Sequence, residues 1–297
     1  MAVVARRRRR SFAGSAVEQG SRKRAVIAWI IGLVFFFPAF QLFITGFKTE
    51  AAALDLPPGL IPVPGGAAGI PGTFPFTLEN YQDVLARGFG PFFLHSLFVV
   101  VVSAILTVAL ALPAAFALVW HGTPRSRNVL FFFLSTKFLP VVGVIVPIFV
   151  ISRDLHAIDN PTTLIVMYTA ANLPIAIWML RSFFDEIPKD VIDASRVDGA
   201  SAIQELFRIA VPMIRPGLVA TLFITVIFAW NEFFIAVNLM ATQGATVPMF
   251  MISFVTSEGL FYAKLAAAGT MAMLPVVILG WSAQRQLVRG LSLGAVK

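Results

Sequence analysis

The sequence predicts an all-α integral membrane protein: six transmembrane helices, with one long loop on the cytoplasmic side. Three observations carry that expectation. Of 297 residues, 58% are hydrophobic and only 13% charged, with a mean hydropathy of +0.84. A water-soluble surface needs roughly 25% charged residues, so lipid is the solvent for much of this chain. Six apolar runs reach the ~20 residues that cross a hydrocarbon core about 30 Å thick. Lysine and arginine gather in alternate connections, which orients the runs.

The runs cover residues 25–47, 95–120, 129–151, 162–180, 216–238 and 265–283 of a transmembrane domain over 25–297, preceded by a basic tail over 1–24. Arg6 to Arg10, Arg22, Lys23 and Arg24 lie in that tail, Arg125 and Arg127 between the second and third runs. Arg181, Lys189, Arg196, Arg208 and Arg215 fall between the fourth and fifth, and Arg285, Arg289 and Lys297 after the sixth. The opposite connections hold Lys48, Arg87, Arg153 and Lys264. This bias places both termini in the cytoplasm.

Composition also excludes functions. There are no cysteines, hence no disulfide, thiolate metal site or cysteine nucleophile. The three histidines lie near run ends and read as interfacial rather than as metal ligands. The net charge of +8 does not argue for nucleic acid, because the basic clusters sit directly before an apolar run, where membrane anchoring charge belongs. No Gly-rich loop ending in Lys-Ser/Thr is present, so the chain supplies no nucleotide site of its own.

Two outside connections stand apart. The first, over 48–91, is rich in proline and glycine. Its end, Thr77 to Leu85, reads as a short amphipathic helix with Thr77 as N-cap and Asn80 to Asp83 toward water. The second, over 239–264, is too apolar for free solution (Met249, Phe250, Ile252, Phe254) and is expected to fold back against the bundle or a partner.

Within the apolar runs, Lys137 and Glu232 are ionisable residues that cost several kcal/mol if left alone in lipid. They either face a solute path or pair with each other or a partner helix. Asn172, Thr225 and Asn231 are further path candidates, although polar residues also bridge helices.

The loop over 183–215 carries the strongest signal. Pro188 suits a helix start, where its missing N–H costs nothing, and Asp190 and Asp193 favour the positive end of the dipole. Gly199 permits a turn that most residues resist. Ser201 caps a second helix with Leu206, Ile209 and Ala210 on one face, ended by Pro212 and Pro216. At about 35 residues the loop is long for a connector between membrane helices. It reads as a docking element for another protein or as a connector stabilised by its caps.

Asp193-Ala194-Ser195, Asp198-Gly199-Ala200, Phe207, Ile209, Pro212 and Pro216 resemble the EAA loop of binding-protein-dependent ABC importer permeases. The departures are mild: Asp193 stands for Glu, Ser195 for the second Ala, and Val211 for Leu. Phe47-Lys48-Thr49-Glu50, Thr77-Leu78-Glu79-Asn80-Tyr81 and Trp230-Asn231-Glu232-Phe233 are similar to phrases of the maltose-type carbohydrate branch. Ser135-Thr136-Lys137 with Pro140 is similar to polyol permeases in particular.

The resemblance implies a subunit of the bacterial-type inner membrane that forms half of a translocation path for a sugar or sugar alcohol. An extracytoplasmic binding protein would deliver the solute, and a homologous second permease subunit would complete the path. Two cytoplasmic ATPase subunits would hold ATP and Mg, with no cofactor on this chain. Asp193, Ala194, Ser195, Asp198, Gly199, Ala200 and Phe207 would form the ATPase-coupling surface, and the subunit itself would be no enzyme. The competing class is an ion-coupled secondary transporter with Lys137 and Glu232 as charge relay; the absence of an internal repeat and the long docking loop weigh against it.

Overall fold

The structure is a computed structural model describing residues 15–63, 72–121, 125–137, 141–240, 245–256 and 259–293. The arginine run Arg6 to Arg10, Pro140 and most of the proline- and glycine-rich stretch over 64–71 lie outside the described residues.

From Ala25 onward α1 (Ser15–Thr45) is largely apolar on every side, with Phe35 79% exposed, as expected of a helix solvated by lipid. The Thr49 side chain caps the short α2 (Glu50–Ala53). β1 (Ile61–Val63) and β2 (Thr73–Pro75) pair in parallel, followed by α3 (Glu79–Ala86) and α4 (Phe89–Trp120). α5 (Ser126–Lys137) and α6 (Val141–Asp154) meet at 88°, and α7 (Pro161–Asp185) starts from the Asn160 cap. α8 (Lys189–Val197), α9 (Ala202–Gln204), a π-helical segment (Glu205–Ala210) and α10 (Val211–Met213) lead to α11 (Arg215–Trp230). α12 (Phe234–Leu239), α13 (Val247–Ile252), the antiparallel pair β3 (Val255–Thr256) and β4 (Gly259–Leu260), and α14 (Tyr262–Leu293) complete the chain.

Among the described residues, four helices are long and apolar enough to cross a membrane, or six if each of two bent pairs counts as one span. The bundle is built around α4 and α7. Ser103, Ala104, Thr107, Ala111 and Ala115 recur on the buried face of α4, and Thr169, Asn172 and Ala176 on that of α7. Small residues let two backbones approach where lipid provides no hydrophobic drive between helices. Thr107 donates to Ser103 O at 2.7 Å and Thr169 to Ile165 O at 2.7 Å, so buried hydroxyls are satisfied within their own helix.

Four local expectations change. The apolar run over 216–238 is two helices, because Glu232 turns its carboxylate onto the Ile235 N–H at 2.8 Å and caps α12 instead of extending α11. The run over 129–151 is likewise two helices, α5 and α6, set at 88° to each other. Asn80 does not face water. It is 4% exposed and donates to Gly46 O at 3.0 Å and Lys48 O at 2.6 Å, satisfying carbonyls freed where α1 ends. Leu78 takes the cap position of α3, although the Thr77 hydroxyl accepts the Glu79 N–H at 3.1 Å. The apolar segment over 245–256 folds back, with Phe250 against Phe89, Phe92 and Phe254.

Candidate functional site

Two sites stand out, one within the bundle and one at its α8 end. The first is a cavity of about 480 Å³ where three helices are interrupted. α5 ends at Lys137, α11 ends at Trp230, and α12 begins at Phe234. Lys137, Asn172, Asn231 and Glu232 all line it, together with Tyr168, Phe228 and Phe233. Four of the five polar residues singled out in the sequence are thus brought to one space, while Thr225 is buried elsewhere and donates to Thr221 O at 2.8 Å. Non-helical backbone at membrane depth is tolerated where it lines a cavity, which is the situation of Asn231 to Phe233.

The groups are held by their own helices. Asn172 donates to Tyr168 O at 3.0 Å and Asn231 to Ile227 O at 2.8 Å, each one turn back. Tyr168, 1% exposed, donates its hydroxyl to the Glu232 main-chain carbonyl at 3.2 Å, pinning the break in α11 to α7. Lys137 lies with its ammonium 5.5 Å from the Phe228 ring centroid, a cation–π arrangement. Lys137 and Glu232 share the cavity without forming an ion pair within 4.0 Å. The volume falls in the 300–1,000 Å³ range of small-molecule sites, and amides, a carboxylate and an ammonium beside aromatic faces suit a hydroxylated solute. Tyr168 and Phe228 were not singled out in the sequence; the signal available was the one tyrosine of the run over 162–180.

The second site is the bend around Gly199. α8 ends in a left-handed turn with Gly199 at φ 80°. The Gly199 N–H donates to Arg196 O and the Ala200 N–H to Ser195 O, both at 3.0 Å, which is the Schellman arrangement. Ser201 and Gln204 then form a reciprocal capping box for α9. One face is buried: Ile192, Ser195, Glu205, Leu206 and Ala210, packed under the ends of α4 and α7 through Phe116, Leu180 and Phe184. Ser195 donates to Ile192 O at 2.7 Å, so it serves this inner face.

The other face is open. Asp193, Ala194, Asp198 and Gly199 are exposed and Ala200 is half-buried. Val197 is 87% exposed, Ile203 71% and Phe207 56%. Arg196 bridges the two faces, its Nε 2.9 Å from Glu205 Oε1, and this hydrogen bond holds its guanidinium pKa above the ordinary value against the opposing effect of burial. The sequence reading passed over this pair, since an Arg and a Glu nine positions apart across a glycine match no helical spacing.

A family model for the binding-protein-dependent transport system inner membrane component matches residues 93–293. A probable ABC transporter permease protein of Sinorhizobium fredii is 32% identical over 90% of this chain and 92% of its own length. A trehalose transport system permease protein of Mycobacterium tuberculosis is 32% identical over 74% and 82% of the two chains. A sulfoquinovosyl glycerol transport system permease protein of Agrobacterium fabrum is 29% identical over 95% and 96%. Among solved structures, a chain of a bacterial ABC transporter involved in the import of the acidic polysaccharide alginate shares the fold. Its TM-score is 0.69 at 21% identity, with 93% of this chain and 99% of that one covered.

Proposed function

We propose, for a chain that belongs to the binding-protein-dependent transport system inner membrane components, that it forms half of an ATP-driven path for a sugar or sugar alcohol. The family makes it a membrane-embedded importer permease, a subunit that carries no catalysis itself. In the proposed assembly α5 with α6 and α11 with α12 each count as one span, giving six with the four long helices, and both termini and the α8 end lie in the cytoplasm. Two ATPase subunits, which hold the ATP and Mg, dock on the loop over 183–215. A homologous second permease completes the path, and a solute-binding protein approaches the α3 end.

The single observation that carries the docking reading is the exposure of Val197, Ile203 and Phe207 around a bend whose other face is tightly packed. Large apolar side chains gathered on a rigid, otherwise polar surface suit a cleft in a partner. Asp193 and Asp198 rim that surface. Rigid-body motion of the docked loop would then open and close the cavity at Lys137, Asn172, Asn231 and Glu232. A polyol is favoured within the sugar class by the Ser135-Thr136-Lys137 phrase, of which Lys137 lines the cavity. An ion-coupled secondary transporter is not favoured, since the named relatives are ABC transporter permeases.

The test is reconstitution of the chain with its partner permease, ATPase and binding protein in liposomes. Uptake of labelled polyol or disaccharide should require ATP inside and persist when proton and sodium gradients are collapsed. Gradient-driven uptake without ATP would refute the reading.

A further inference from the structure

We propose that the Arg196–Glu205 pair is a clasp that makes the docking loop rigid, so that force on α8 reaches the bundle instead of bending the loop at Gly199. This rests on the ATPase-docking reading above. An added Cβ at Gly199 would meet nothing within 4 Å, so the outer side of the turn is open, and main-chain hydrogen bonds to Arg196 O and Ser195 O hold its shape.

Across that open turn lies a carboxylate that is costly to bury. Glu205 is 2% exposed, beside Leu206 and Ile192, and its charge is answered by Arg196: Nε to Oε1 at 2.9 Å and Nη2 to Oε2 at 3.4 Å. Nη2 also lies 3.4 Å from Trp120 O, at the end of α4, and Asp193 lies 3.9 Å from Nη1. One guanidinium therefore ties α8, the π-helical segment and α4 together. A buried ion pair is a poor source of stability, because apolar residues of similar volume do as well or better. What the planar fork adds is fixed direction, which a lysine cannot reproduce.

The connections from this clasp lead to the cavity. Glu205 opens the π-helical segment, which passes through α10 to the 85° bend before α11. The far end of α11 carries Asn231 and Glu232. α4, reached through Trp120 O, packs along α7, which carries Tyr168 and Asn172. The clasp thus stands between the docking face and both walls of the path.

The experiment uses the full reconstituted transporter with three forms of this chain: wild type, Arg196→Lys, and the double variant Arg196→Met with Glu205→Leu, which leaves no buried charge unpaired. Thermal unfolding, ATPase co-purification, and solute moved per ATP hydrolysed are read together. The double variant is expected to fold and to keep the ATPase, while solute moved per ATP falls by about fivefold or more. Arg196→Lys should change the same ratio in the same direction by less. A double variant with the wild-type ratio would overturn the clasp, and so would one that sheds the ATPase, since the pair would then belong to the docking face. If wild type itself retains no ATPase, the docking reading fails first.

Discussion

The Glu50 carboxylate accepts the main-chain N–H groups of Ala263 and Lys264, each at 3.0 Å, across more than two hundred residues of sequence. It fastens the stretch after α1 to the beginning of α14, and Lys264 in turn reaches Asp83 at 2.6 Å. Glu50→Ala should therefore lower the stability of the purified subunit by about 1–2 kcal/mol, the loss of a helix cap. Glu50→Gln, which keeps one acceptor, should lose less. The unfolding temperature in detergent is the readout, and ATPase association at the opposite end should not change.

Gly217, in the first turn of α11, packs so closely on Phe183 that a Cβ would lie inside the ring's contact distance. Gly217→Val should cost about 1–3 kcal/mol through overpacking. Phe183→Ala in the same chain should recover much of that loss, because the two residues share one space. Strictly additive losses in thermal unfolding would show that the contact does not limit packing there.

Gly199 sits at φ 80° in open space, so a side chain there meets conformational cost but no clash. Gly199→Val should cost roughly 1–2 kcal/mol locally and distort the bend, with uptake and ATPase co-purification both reduced. Gly199→Asn should be milder, since Asn tolerates the left-handed region. Asp198→Lys should fold normally, a cation being favourable at the end of α8, yet reverse the charge of the docking face and weaken the ATPase complex.

Glu232→Gln separates charge from capping. A glutamine oxygen can still accept the Ile235 N–H that Glu232 now holds at 2.8 Å. If the carboxylate meets solute hydroxyls, transport should fall about 10- to 100-fold, the value of a hydrogen bond to a charged group. Basal ATP hydrolysis and assembly should survive. Loss of assembly would assign Glu232 to holding subunits together.

The long elements were legible because α4 and α7 are uninterrupted apolar runs. The breaks were not, because an apolar run says nothing of where a helix stops, and Glu232 stops one by capping the next. The four polar residues of the cavity were recognisable singly, by the cost of placing them in lipid, but their convergence depends on helix packing. Asn80 was misplaced because a polar residue on an amphipathic helix was assigned to water, whereas its partners are carbonyls 34 and 32 residues earlier. The π-helical turn at Glu205–Ala210 leaves no signature in residue type, and the Arg196–Glu205 pair spans nine positions across a glycine turn.

The central claim is that the face around Gly199 receives the ATPase. The chain has no cysteine, so a single Ile203→Cys substitution at this 71% exposed position gives one unambiguous thiol. In membranes holding the whole transporter, this thiol should cross-link to the ATPase and become protected from maleimide when the ATPase is present. Glu79→Cys, exposed at the opposite end, should do neither. Equal labelling of Ile203→Cys with and without the ATPase, and no cross-linked product, would contradict the account.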